Sequence, residues 1–193
     1  MAEKTVRFGL NNVYYSVYDP KTSNYGTPKR IYGAVNLNIS REGDSSTFYA
    51  DNTPYFSTVK NAGYSGTLEI AAVEDQLLID LLNYVQDGDG NMIEDAEAIS
   101  NSFALMYEIS SNAEPQRFCL YNCSLSRPES EANTSGDTIE PDTASLEISC
   151  LTRDLKVGDD TISVVKMHHT STGDTDTVYK NWFNSVPMPK ANA

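Results

Sequence analysis

GAVNLNISREGDSSTFYADNTPYFSTVKNAGYSGTLEIAAV, residues 33–73, is the stretch on which the fold turns. It opens with Val35, Leu37 and Ile39 alternating with Asn36, Asn38 and Ser40. It closes with Tyr64, Leu68 and Ile70 set against Ser65, Thr67 and Glu69. Successive strand side chains point to opposite faces, so each run predicts a strand with one buried and one wet face. Residues 41–62 between them are too long for a tight hairpin and read as a long loop. That loop carries Phe48, Tyr49, Tyr55 and Phe56, with Asp51, Asn52 and Pro54 among them. So many aromatics need a place to be buried, on this chain or on a neighbouring one.

Working outward, residues 5–19 read as a strand pair or one bent strand, with a phase change at Asn11-Asn12. Residues 74–85 are the clearest helix: Leu77, Leu78, Leu81, Leu82 and Val85 form one apolar stripe. Glu74 and Asp75 sit at its positive end, and Gly88 is expected to stop it. Residues 103–109 and 117–125 predict a hairpin, and residues 126–143 a polar loop. Further strands are expected at 144–152, with Leu146, Ile148 and Cys150 on one face, and at 162–167. Residues 176–186 have helical spacing in Val178, Tyr179, Trp182, Phe183 and Val186, and Pro187 and Pro189 end it. Trp182 and Phe183 read as an apolar face docked on the core. The expected class is mainly β: an antiparallel β-sandwich or barrel with one flanking α-helix and a second short C-terminal helix. Residues 1–193 read as one domain.

The totals exclude several classes of function. No run of about 20 apolar residues exists to span a membrane. Met1-Ala2-Glu3-Lys4 has no apolar signal core, so synthesis in a cytoplasm is expected, with exit only inside a larger particle. The net charge is −13; with +3 on residues 1–33 and +1 on residues 161–193, the middle carries −17. No basic stripe offers itself to nucleic acid. Basic ends of one copy could meet acidic middles of another. Cys119 and Cys123 would share a strand face about 13 Å apart, too far to bridge, while a pairing of either with Cys150 stays open. The expectation is three reduced, buried thiols.

Chemistry is hard to find. His168 and His169 are adjacent, would face opposite ways in a strand, and predict a structural role. Asp87, Asp89 and Asn91 have the opening spacing of a calcium loop. Met92 stands where its glycine belongs and Ala98 where its glutamate belongs, so a turn is expected instead. No phosphate-cradling loop, nucleophile elbow or paired zinc motif occurs, and no cofactor, metal or catalytic residue is predicted. Tyr49 and Tyr55, inside the long loop, are candidate interface residues.

Across nearly its whole length the chain resembles the major tail proteins of long-tailed bacteriophages. The resemblance rests on FGLNNVYY at 8–15, GAV at 33–35 leading to EGD at 42–44, FYADN at 48–52, and GYSGTLE at 63–69. It continues with LYNC at 120–123, Arg127-Pro128, IEP at 139–141 and YKNWF at 179–183. It implies a structural virion protein without enzymatic activity, whose copies form hexameric rings by joining sheet edges. Those rings stack into a tail tube through which DNA passes. The loop at about 41–62 would reach the adjacent ring, with Phe48, Tyr49, Asp51, Asn52, Tyr55 and Phe56 as contacts and the N-terminal segment as an arm. On this view the loop orders only on assembly. Partners would be further copies, a tape-measure protein and a tail terminator. DNA would be passed without specific binding, no membrane would be involved, and the protein would reside in the virion tail. An acidic wall suits a DNA conduit, because it repels phosphates. The competing expectation is a ligand-binding β-sandwich of carbohydrate type with loop aromatics stacked on sugar, weakened by placing the lone Trp182 in the C-terminal helix.

Overall fold

A computed structural model describes residues 7–43, 45–111, 114–129 and 142–191. The expected polar loop at 126–143, the start of the first strand at 5–6 and the N-terminal arm fall largely or wholly outside those residues. The chain runs β1 (Arg7–Asp19), β2 (Asn24–Tyr25), β3 (Lys29–Arg30), β4 (Ala34–Glu42), β5 (Ser45–Ala50), β6 (Thr53–Val59) and β7 (Gly63–Ile70). Helix α1 (Asp75–Leu82) follows, then β8 (Val85–Gln86), β9 (Met92–Ile93), β10 (Phe103–Ser111), β11 (Gln116–Leu125) and β12 (Ala144–Leu151). The chain closes with β13 (Arg153–Val157), β14 (Asp160–Val164), β15 (Lys166–Thr170) and α2 (Thr177–Lys180). The fold is therefore mainly β and antiparallel, with two short helices, consistent with a sandwich.

One large sheet has the order β2-β1-β10-β11-β12-β7-β4, with β15 added to the first half of β11 and β3 to β1. β1 is a single bent strand: its ladder with β10 slips twice, and Gly9 and Asn12 take positive φ of 74° and 49°. The β10–β11 hairpin is as expected. Between the pairs Phe103↔Cys123 and Leu105↔Leu120, β11 spends three residues against two on β10. A bulge of this kind reverses the side-chain phase beyond it. Cys119 and Tyr121 therefore enter one apolar cluster, and Cys123 and Leu125 the other. The inference that Cys119 and Cys123 share a face is overturned. All three cysteines are free and buried, with Cys123 opposite Cys150 across β11 and β12.

The centre of the sheet, β10 and β11, is buried on both faces. The larger cluster joins Val13, Leu68, Ile70, Phe103, Leu120, Leu146 and Ile148 to Leu77, Leu81 and Leu82 of α1. Each such buried leucine contributes about 1.5–3 kcal/mol of transfer free energy. On the other face, Leu155 of β13 and Trp182 and Val186 of the C-terminal segment cover Ala104, Met106, Cys119 and Tyr121. The expected docking of Trp182 and Phe183 on the core is seen: Trp182 is buried and Phe183 stacks on Tyr14 at 4.6 Å. Arg117 clips the segment down, pairing with Glu108 at 2.7 Å and lying 3.8 Å over the Tyr179 ring.

Three local expectations are corrected. Val35 is exposed, because a slip between Ala34 and Asn36 takes it out of the alternation that Leu37 and Ile39 keep. Helix α1 ends before Gly88, at Asn83, whose left-handed conformation (φ 57°) forms the C-cap. Val85 then leaves the stripe for the exposed β8–β9 pair. α2 is a single turn, capped by Asp176, and residues 181–185 continue only as turns and a bend.

Candidate assembly surface

The 41–62 stretch is a hairpin arm, not a loop. β4 and β7 pair down to Glu42↔Gly63, and the Ala62 N–H donates to the Glu42 carbonyl at 3.0 Å. At Gly43 (φ 153°) the two chains come so close that a Cβ would lie 2.0 Å from the Lys60 carbonyl oxygen. Beyond that point β5 and β6 pair with each other from Ser45↔Val59 to Ala50↔Thr53. Asp51 and Asn52 form the two-residue turn, both at positive φ (51° and 59°), as a hairpin turn matching the strand twist requires. The sequence signal was present: Asp and Asn tolerate that conformation better than other non-glycine residues. The ribbon hides it, because the turn closes β5 on β6 and lies far along the chain from β4 and β7.

The register sorts the aromatics. Phe48 lies opposite Phe56, and Tyr49 opposite Pro54, which leaves Tyr55 as the extra residue of a bulge. The Phe48 and Tyr55 rings meet edge to face, centroids 6.5 Å apart. Phe48, Tyr55 and Phe56 are thus drawn together, while Tyr49 alternates to the other face of the ribbon. Exposure is 62% for Phe48, 62% for Tyr49, 76% for Tyr55 and 61% for Phe56. Four large rings in water on one two-stranded ribbon is the kind of patch that marks an interaction site. Asp51 and Asn52 have a local reason to be where they are, as the turn.

Among the described residues, the sheet also has unpaired edges. β4 is the terminal strand of the large sheet. The first half of β1 pairs β10 on one side, while β2 and β3 occupy its other side only from Tyr14 onward. Between these two edges runs a groove with Phe8, Leu10, Leu37, Ile39, Tyr107 and Ile109 in its walls.

The titratable groups serve packing. His169 Nε2 lies 2.8 Å from Asp176 Oδ2 and its ring stacks on Trp182, while His168 stacks on Phe118 of the other cluster. The two histidines face opposite ways, as expected. The Tyr179 N–H, working against burial and aided by His169 and Thr172, holds Asp176 below the usual carboxylate range. Burial raises Asp80, but bonds from Lys29, Tyr15 and Gln76 outweigh it and hold the carboxyl low, fastening α1 to β1 and β3. Asp87 accepts from the Asp89 and Asn91 N–H groups, which makes 87–91 a turn. Among the described residues no group of three or more His, Cys, Asp or Glu is placed to hold a metal ion. No model of a known protein family matches the chain, and no curated protein matches it either.

Proposed function

We propose that this protein is a structural subunit that assembles with copies of itself, the arm being its main contact, and that the assembly is a bacteriophage tail tube. The observation that carries the reading is the 45–59 ribbon, ordered by its own ladder yet with Phe48, Tyr49, Tyr55 and Phe56 in water. A monomer with that surface and no partner would be prone to non-specific aggregation. The edges of β4 and β1, unpaired among the described residues, support the same reading, because an open edge is a liability unless pairing with another chain or ring closure removes it. The resemblance of the sequence supplies the particular form: hexameric rings stacked into a conduit, with a tape measure and a terminator as partners and DNA in transit. The surplus of acidic residues fits a wall that DNA slides past.

Negative-stain microscopy of the purified chain, concentrated stepwise, tests this. Rings or tubes are expected. Replacing residues 45–58 by a short Gly/Ser linker should leave a folded protein by circular dichroism that forms no tubes. Tubes from the linker variant would refute the role of the arm. A wild-type chain that stays monomeric at high concentration and binds polysaccharide would refute the assembly reading in favour of a carbohydrate-binding module.

A further inference from the structure

The large sheet has a seam. Among the described residues, β12, β7 and β4, with the arm beyond them, join the other strands of that sheet by one ladder, where β12 pairs with β11. That ladder is short: four strand pairs, from Asn122↔Leu151 to Leu125↔Ile148, against seven between β12 and β7. By Leu120, β11 has taken β15 as its partner on that side. Two of the three cysteines, Cys123 and Cys150, stand opposite each other across this seam, both as thiols.

One bond fixes their place in the ladder. The Ser126 N–H donates to the Glu147 carbonyl at 3.0 Å, so Ser126 and Glu147 form a hydrogen-bonded pair. Hydrogen-bonded and non-hydrogen-bonded pairs alternate along an antiparallel ladder, and no slip interrupts this one. Cys123↔Cys150, three pairs away, is therefore a non-hydrogen-bonded pair. In such a pair the Cα atoms stand about 4.5 Å apart and the side chains are at their closest. A disulfide needs a Cα separation of about 4.4–6.8 Å. Both side chains point to the same face, into the cluster that holds Leu68, Leu120 and Ile148. A weak bond, from the Cys123 S–H to the Leu120 carbonyl at 3.7 Å, is all that must break for Cys123 Sγ to turn toward Cys150. Cys119 lies in the cluster on the other face, with Tyr121 and Trp182, and reaches neither.

We propose that Cys123 and Cys150 are a redox latch, which closes as a disulfide across β11 and β12 when the chain meets a small-molecule disulfide as oxidant. The route in is the end of the ladder. Cys150 is one pair from it, and its neighbour Leu151 is 54% exposed. Strand ends open locally at far lower cost than the sheet as a whole. Once open, the Cys150 thiolate attacks one sulfur of the oxidant, and the other sulfur leaves as a thiolate. The Cys123 thiolate then attacks the Cys150 sulfur of that mixed disulfide and expels the second small thiolate. The two protein thiols give up two electrons and two protons, and the oxidant is reduced to two thiols. A reducing compartment keeps the latch open and an oxidising one closes it. Closed, it bolts the arm-bearing half of the sheet to β11, in a lone chain and in an assembly alike.

The test uses the full-length chain, purified under reductant and incubated for hours with oxidised glutathione. Incubation is run in buffer and in urea below the unfolding transition, where the ladder end opens more often. N-ethylmaleimide added in denaturant should label three thiols before oxidation and one after it. Chymotrypsin cuts after Leu120 and Tyr121, which puts Cys119 and Cys123 on different peptides, and the oxidised chain should yield a 123–150 cross-link. Closing the 123–150 ring should raise the melting temperature by about 5–15 °C, reversibly with dithiothreitol. Three labelled thiols after both incubations, glutathione retained on the protein, or a bond to Cys119 would each overturn the latch. Cys119→Ala should keep the cross-link and the thermal shift. Cys150→Ala should lose both, and a shift that persisted in it would overturn the assignment; should that variant not fold, the map of the wild-type cross-link decides.

Discussion

Consider the triple variant Phe48→Ser, Tyr55→Ser, Phe56→Ser. A whole aromatic side chain buries about 150–250 Å², and these three are 62%, 76% and 61% exposed in the free chain. About 350 Å² is therefore still available, worth about 9 kcal/mol at about 25 cal/mol per Å². Ordering three side chains at a contact returns about 3 kcal/mol. The net loss of about 6 kcal/mol corresponds to an association about 10⁴-fold weaker. The folded chain should barely notice, because exposed substitutions usually shift stability by less than about 0.5 kcal/mol each. The assay is paired: light scattering against concentration for assembly, and a circular dichroism melt for the monomer. Assembly at the wild-type concentration would refute the role of the rings. A melt lowered by ten degrees or more would refute the premise that the rings lie outside the chain's own core.

Four further outcomes follow from the same geometry. Asp51→Val with Asn52→Val places β-branched residues at positive φ and should cost about 1–3 kcal/mol locally; hydrogen exchange of the 45–59 amides should accelerate while the sheet core keeps its protection, and unchanged exchange would contradict the turn. Trp182→Ala removes a ring that is 3% exposed and should cost about 3–5 kcal/mol, or roughly 6–20 °C in melting temperature, whereas Val178→Ala on the same segment should be near neutral; equal effects would show that the segment is not docked. Asp176 has its folded pKa held low, so its contribution is present above the ordinary carboxylate range and is lost as pH falls below about 4; Asp176→Asn should flatten the acid limb of a stability–pH profile, and an identical limb would remove the carboxylate from the account. Burial pushes the Cys119 and Cys123 thiols up, so Ellman's reagent should find almost no reactive thiol in the native chain and three in denaturant; a count of one in denaturant would reveal a disulfide.

How much was legible depended on how local the cause was. The alternation of Leu146, Ile148 and Cys150, the β10–β11 hairpin and the leucine stripe of α1 are written in neighbouring residues, and the structure has them. The opposite facing of His168 and His169 follows from strand geometry alone. The six candidate contacts all lie on the arm, but the sequence does not sort them. Only the register divides Phe48, Tyr55 and Phe56 from Tyr49 and makes Asp51 and Asn52 the turn. The exposure of Val85 is not legible, because Val85 reads as the last turn of a helix that in fact stops at Asn83.

The sequence by itself determined the class: period-2 runs bury one face, and a period-3.6 run makes a covering helix. These properties arise within a few residues of chain, where side-chain direction is set by backbone geometry. Tertiary structure alone decided the phase. The bulge in β11 sends Cys119 and Cys123 to different clusters, the slip in β4 turns Val35 outward, and the β4–β7 ladder runs on into an arm. Each is a matter of which residue hydrogen-bonds to which across the sheet, and one residue of shift reverses every face beyond it. That choice is made by partners distant in sequence, so no local pattern contains it.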